Sequence, residues 1–144
     1  MTRLALTSLK AQAKIHHMTA DSRQVQPGSL FIAYKGESAD GRAYINQAIE
    51  KGAVAVIWDD ADFVWHADWQ LPNQPISHLK QHVGEIASEF YGDPSKDIWM
   101  IGVTGTNGKT TTVRLTSHLL RTHGLRIGMT NTDGVYVNGR QTDS

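Results

Sequence analysis

Cysteine is absent from the 144 residues, which excludes disulfides, thiolate metal sites and a cysteine nucleophile. Charge of one sign is missing too: 14 Lys and Arg stand against 14 Asp and Glu, for a formal net charge of zero. Nothing in that balance suggests a nucleic-acid footprint or a polybasic membrane surface, so any charged ligand must be met by local groups. No apolar run approaches the roughly 18 residues needed to cross a bilayer. The first ten residues also lack the uninterrupted apolar centre of a signal peptide. The expectation from these absences is a soluble, cytoplasmic protein that contacts no nucleic acid and inserts in no membrane.

What the chain does have is concentrated in Ile101–Thr112. Ile98–Val103 is a short apolar run of β-favouring residues after the turn-forming Gly92–Ser95, and it reads as a buried strand. The chain then turns through Gly105 and Gly108. Both can take backbone angles closed to other residues, and neither carries a side chain that would hold an anion away. From Lys109 onward Val113, Leu115, Leu119 and Leu120 stand near helical spacing, with Gly124 as the stop. A helix N-terminus offers unpaired N–H groups and the positive end of its dipole, which together favour a phosphate. Lys109 adds a positive charge for terminal phosphates, and the Thr110 hydroxyl is a candidate magnesium ligand. The common phosphate-loop spacing places a glycine where this chain has Val103, so the segment is a shortened variant. The plainer alternative is a glycine-containing strand-to-helix turn with a solvated lysine.

Residues from about 15 to 90 make a separate α/β pattern. Asp21–Gly28 is polar and turn-rich, Ser29–Tyr34 reads as a strand and Gly36–Gly41 as a second polar loop. Gly41–Lys51 reads as a helix with Tyr44, Ile45, Ala48 and Ile49 on one face and Gly52 as its stop. Ala53–Trp58 suits a strand covered on both faces, and Ser77–Tyr91 a helix turning Leu79, Val83, Ile86, Ala87 and Phe90 inward. Near the C-terminus, Leu125–Thr130 reads as a second strand of the nucleotide-binding part, and Asn131–Arg140 as a hairpin turning at Asn138–Gly139.

Thr104–Thr111 resembles the ATP loop of the Mur ligases, the ATP-dependent enzymes that join amino acids to a carboxylate in peptidoglycan assembly, and that loop has the same displaced glycine. Asp21–Arg23, Pro27–Ala33, Gly36 with Ala39–Gly41, and Ala48–Ala53 resemble the N-terminal domain of the members that act on UDP-N-acetylmuramoyl-L-alanyl-D-glutamate and add the third peptide residue. The last twenty residues look more like the ligase module of cyanophycin synthetase.

The resemblance implies an α/β fold: a small UDP-substrate-binding domain over residues 1–92, followed over 93–144 by the start of a P-loop, Rossmann-like ATP-binding domain. It implies ATP and Mg2+ as cofactors, and a UDP-linked muramoyl dipeptide and an amino acid as substrates. ATP's terminal phosphoryl group would activate a substrate carboxylate as an acyl phosphate, which an amine then attacks; such chemistry needs electrostatic clamping more than a protein nucleophile. Carried onto this chain, Lys109 is catalytic, Gly105, Thr106, Asn107, Gly108, Lys109, Thr110 and Thr111 hold ATP, and Thr110 shares the metal. Ser22, Glu37, Ser38 and Ala39 lie near the uracil and ribose, with Asp40 and Gly41 supporting the loop's shape. Read without the resemblance, Ser22 equally completes a polar turn and Asp40–Gly41 an ordinary tight turn. With two strands and one helix beside the ATP loop, a parallel sheet cannot be covered on both faces, so little or no ligation is expected of these 144 residues alone. A non-catalytic nucleotide-sugar-binding module is the other function class left open.

Other groupings carry less. His78 and His82 share a helix face without a third ligand of matching spacing, Asp59, Asp60 and Asp62 suit a polar loop, and Trp58, Trp65, Trp69 and Trp99 suit packing.

Overall fold

The computed structural model describes residues 2–142. They form two compact units that part between Ile98 and Trp99.

The first unit is built on four parallel strands in the order β1 (His17–Thr19), β2 (Ser29–Ala33), β3 (Ala53–Trp58) and β4 (Asn73–Pro75). Every step across this sheet goes the same way. Because parallel crossovers are right-handed, three steps in one direction put all three connections on one face, and the other face must be covered from outside the strand series. The two cores have that composition. One takes Phe31, Ala33, Val56 and Trp58 from the strands, Val25 from the β1–β2 connection, and Ile45 and Ala48 from α2 (Ile45–Glu50). The other takes Leu30, Ile32, Ala55 and Ile57, covered by Leu6 and Leu9 of α1 (Thr2–Gln12) and Leu79 and Ile86 of α3 (Leu79–Phe90).

All five residues of β2 are buried, as expected of a strand with both faces packed. A bulge between Ser29 and Leu30 pairs Ser29 with Ala53 but Leu30 with Ala55. It keeps the alternation of the two strands in phase with the two cores from there on.

The two strands expected around Ser29–Tyr34 and Ala53–Trp58 and the helix expected around Ser77–Tyr91 are present. Gly41–Lys51 divides into a short 3-10 turn (Gly41–Tyr44) and α2, and Tyr44 is 43% exposed instead of lying on the inner face. Three elements have no counterpart in the sequence reading: α1, β1 and β4. α1 is the costliest omission, since Leu6 and Leu9 are 1% and 2% exposed; the spacing of three between them was its signal. α3 ends in a Schellman arrangement, with Gly92 at φ +77° and the Asp93 N–H returned to the Ser88 carbonyl at 2.6 Å.

The second unit departs further from expectation. Ile98–Val103 forms no strand, and Ile98, Trp99, Met100 and Ile101 are 61%, 101%, 74% and 69% exposed. Leu125–Thr130 is not its parallel neighbour. Instead β5 (Gly128–Asn131), β6 (Gly134–Val137) and β7 (Arg140–Thr142) make an antiparallel sheet by themselves. The physical reason is that a parallel strand needs partners delivered by crossover elements, whereas consecutive antiparallel strands pair through two-residue turns. The turn at Asn138–Gly139 is where it was expected, with φ of +50° and +80° as a type I′ turn requires. Helix α4 (Lys109–Thr122) also forms as read and closes at Gly124 with a second Schellman pair, Gly124 N–H to the Arg121 carbonyl and Leu125 N–H to that of Leu120. Among the described residues of this unit, Ser117 alone is buried.

Candidate functional site

Gly105 and Gly108 have φ of +142° and +77°, values that side-chain-bearing residues adopt only with strain. Gly108 is the N-cap of α4, and Thr112 N–H closes the first helical turn on its carbonyl at 2.9 Å. The amides of the first turn therefore face the loop without helical partners of their own. Added Cβ atoms at Gly108 would meet nothing within 4 Å, so the approach to the loop is open. Lys109 folds back over this loop. Its ammonium donates to the carbonyls of Gly105 and, at 3.3 Å, Thr106. The loop thus holds a cation beside a helix N-terminus, an arrangement that attracts phosphate. Thr110 is half-buried in the first turn, next to Lys109, and Thr106, Asn107 and Thr111 are exposed.

In the first unit, Ser22 and the Glu37–Ala39 tip follow the carboxyl ends of two neighbouring strands, β1 and β2. That edge is where open parallel sheets bind ligands. The tip belongs to a closed loop. Gly41 N–H donates to the Tyr34 carbonyl at 2.9 Å, Lys35 and Asp40 bridge, and Gly36 N–H donates to the Ala39 carbonyl at 2.9 Å. Glu37 and Ser38 are left as a two-residue end, exposed with Ala39. A Cβ at Gly41 would sit 2.9 Å from the Tyr34 carbonyl oxygen, so the loop closes this tightly only with glycine there.

Ser22 is differently placed. It is buried at 8% exposure, and its hydroxyl donates to Gln47 Oε1 of α2 at 2.9 Å. Lys51 donates to the Ser22 carbonyl at 3.0 Å. Asp21 makes the turn itself, accepting the Arg23 backbone N–H and, through both oxygens, its guanidinium. Those hydrogen bonds from Arg23 pull the Asp21 pKa down to about 2.

Asp40 carries a second carboxylate–guanidinium pair. Hydrogen bonds from Arg42 hold its pKa below the ordinary carboxylate range, and the same contacts raise that of Arg42. Arg42 escaped the sequence reading, although an arginine two residues beyond a turn-forming aspartate was a visible signal.

Of the remaining groupings, only the three tryptophans Trp58, Trp65 and Trp69 resolve into packing. His78 precedes α3 at φ +55°, while His82 pairs with Glu85 at 3.3 Å. No group of three or more His, Asp or Glu side chains capable of holding a metal occurs among the described residues. Trp58, Trp65 and Trp69 join Phe63 in an aromatic cluster with ring centroids 5.0–6.4 Å apart. Trp99, expected inside a strand, is fully exposed instead. A cleft of about 470 Å³ lies between α2 and the β3–β4 connection, lined by Asn46, Ile49, His66, Trp69 and Leu71 among others, and none of the candidate ATP-, UDP- or metal-binding residues lines it.

Residues 14–91 match the family described as "Mur ligase family, catalytic domain". Over 131 residues the chain is 42% identical to the UDP-N-acetylmuramoyl-L-alanyl-D-glutamate--2,6-diaminopimelate ligase of Chromobacterium violaceum, covering 90% of this chain and 27% of that protein. A solved structure of a ligase of the same description superposes with a TM-score of 0.65 at 27% identity, over 89% of this chain and 26% of that one. The MurF ligase from Thermotoga maritima, solved in complex with ADP, superposes with a TM-score of 0.56 at 28% identity, over 74% and 23%. The chain thus spans about a quarter of the length of the relatives it matches.

Proposed function

We propose, because the chain belongs to the Mur ligase family, that it carries two substrate sites of an ATP-dependent ligase of peptidoglycan precursor synthesis. The reaction is addition of the third peptide residue to UDP-N-acetylmuramoyl-L-alanyl-D-glutamate in the cytoplasm. The observation that carries this reading is the loop from Gly105 to Thr111, with two glycines at positive φ, a lysine and a helix N-terminus.

In this reading Gly105, Thr106, Asn107, Gly108, Lys109, Thr110 and Thr111 take the phosphates of ATP. Backbone amides at the start of α4 hold the chain of anions, and Lys109 leaves the Gly105 and Thr106 carbonyls to balance charge on the group being transferred. The residues present fit Mg2+ as well: the Thr110 hydroxyl is a hard oxygen donor beside the phosphate site. Bound ATP supplies the phosphoryl group that activates a substrate carboxylate for attack by an amine. Ser22, Glu37, Ser38 and Ala39 hold the UDP end, supported by their place beyond the carboxyl ends of β1 and β2. Residues 1–92 are then the UDP-substrate domain and 93–144 the start of the ATP domain.

One observation favours a second reading, in which the chain binds the nucleotide sugar without the ATP half. The first unit has a core on both faces of its sheet, whereas the segment leading into the ATP loop is exposed. Calorimetric titration with UDP and with Mg·ATP decides. Binding of both supports the ligase reading, binding of UDP alone supports the second, and binding of neither removes both.

A further inference from the structure

We propose that Arg42 is the positioning residue for the Glu37–Ala39 tip, fixing it against the β3–β4 connection so that it is ready for the UDP end of the substrate. The inference rests on the reading of that tip as UDP-binding.

Nothing at the tip itself fixes its direction. Glu37, Ser38 and Ala39 are exposed, and the backbone bonds of their loop, Gly36 to Ala39, the Lys35–Asp40 bridge and Gly41 to Tyr34, close it on itself without tying it to another loop. The ion pair from Glu37 to Lys80, 3.3 Å long, joins side chains that are 92% and 55% exposed, and such pairs hold little. The remaining anchor is Asp40 at the base. Its carboxylate accepts the Arg42 backbone N–H at 3.0 Å, Nε at 2.9 Å and Nη2 at 2.8 Å.

The Arg42 side chain in turn is only 8% exposed. Nη1 donates to the Asp59 carbonyl at 3.2 Å and to that of Ala61, and the group lies 5.1 Å from the centre of the Phe63 ring. Asp59 and Ala61 begin the β3–β4 connection, whereas Asp40 ends the β2 loop. One rigid fork therefore ties together two loops that leave neighbouring strands at the same edge of the sheet. Arginine is the side chain that can do this, because its donors lie in one plane and point in several directions; lysine offers one compact charge and no fork. A guanidinium this buried must keep its acceptors, so the arrangement holds as a unit. Arg42 touches no ligand in this account. It acts through Asp40.

The test uses the 144-residue chain, with Arg42→Lys and Asp40→Asn compared with wild type by calorimetric titration of UDP and of Mg·ATP, and by thermal melting. Asp40→Asn leaves the Asp59 and Ala61 carbonyls and the Phe63 ring to Arg42 and keeps one amide oxygen as acceptor, so its main effect falls on the link to the tip. Both variants are expected to weaken UDP about tenfold or more while leaving Mg·ATP affinity unchanged. UDP affinity within about twofold of wild type in a folded variant overturns the proposal. If Arg42→Lys fails to fold, Asp40→Asn alone decides: a purely structural role lowers its melting temperature and leaves UDP affinity intact. Should wild type itself not bind UDP, the functional reading fails, and the anchoring is read from amide exchange at residues 36–41. Faster exchange in Asp40→Asn supports the anchor, and unchanged exchange removes it.

Discussion

The Asp59 carboxylate accepts the backbone N–H of Leu79, twenty residues on, at 3.0 Å. Leu79 is the first residue of α3, and His78 before it provides no side-chain cap. Asp59, buried at the end of β3, therefore caps a helix from outside its own sequence neighbourhood, while its other oxygen accepts the Ala61 N–H at 3.1 Å. The cap also complements the helix dipole. Asp59→Ala should destabilise the first unit by about 1–2 kcal/mol. Chemical denaturation of the two proteins measures this directly, and equal midpoints would show that α3 needs no cap.

Gly41→Ala tests the closure of the β2 loop. The new methyl would lie 2.9 Å from the Tyr34 carbonyl oxygen and 3.3 Å from its nitrogen, both backbone atoms with little room to give. A loss of about 1–3 kcal/mol is expected. UDP binding should weaken with it, because the Glu37–Ala39 tip would no longer close.

Truncating α1 distinguishes a decorative N-terminal helix from a core element. Leu6 and Leu9 pack with Ile32, Ile57 and Ile86, so Leu9→Ala should cost about 2–5 kcal/mol. A change below about 0.5 kcal/mol would mean that α1 is not seated on the sheet.

Acid should loosen the β1–β2 and β2–α2 loops before the cores. Asp21, with its pKa near 2, and Asp40, shifted the same way, are both depressed in the folded state. Their stabilisation is present above the unfolded carboxylate pKa near 4. It disappears as pH falls from there through the folded values. Amide exchange near Arg23 and Arg42, taken relative to the intrinsic rate at each pH, should rise between pH 5 and pH 2.5, and Asp40→Asn should remove the rise at Arg42.

Lys109→Ala should weaken Mg·ATP binding by about tenfold or more while leaving UDP affinity unchanged. Gly108→Ala should weaken it as well, since alanine at φ +77° is strained by about 1–2 kcal/mol. Unaltered ATP affinity in Lys109→Ala would separate the lysine from the phosphate site.

Much of this was legible in the residues, for reasons that differ by element. Helix α4 and the turn at Asn138–Gly139 depend on local rules, helical spacing ended by a glycine and a two-residue turn needing positive φ, and both stand where they were read. β3 was legible as a continuous apolar run that suits a strand packed on both faces, and β2 as an alternating run between two polar loops, although both are packed on both faces. β1 and β4 are three residues each and mixed in polarity, so only pairing with β2 and β3 makes them strands.

The composition of the Gly105–Thr111 loop, its displaced glycine and its helix were determined by sequence alone, since each follows from backbone freedom and spacing within a dozen residues. Only tertiary structure decided that Ile98–Val103 stays unpaired and that Asp59 caps α3. The same holds for Arg42, which braces one loop against another. Pairing, capping and buried charge all depend on a partner brought from elsewhere in the chain, and the identity of that partner is not written at the residue that needs it.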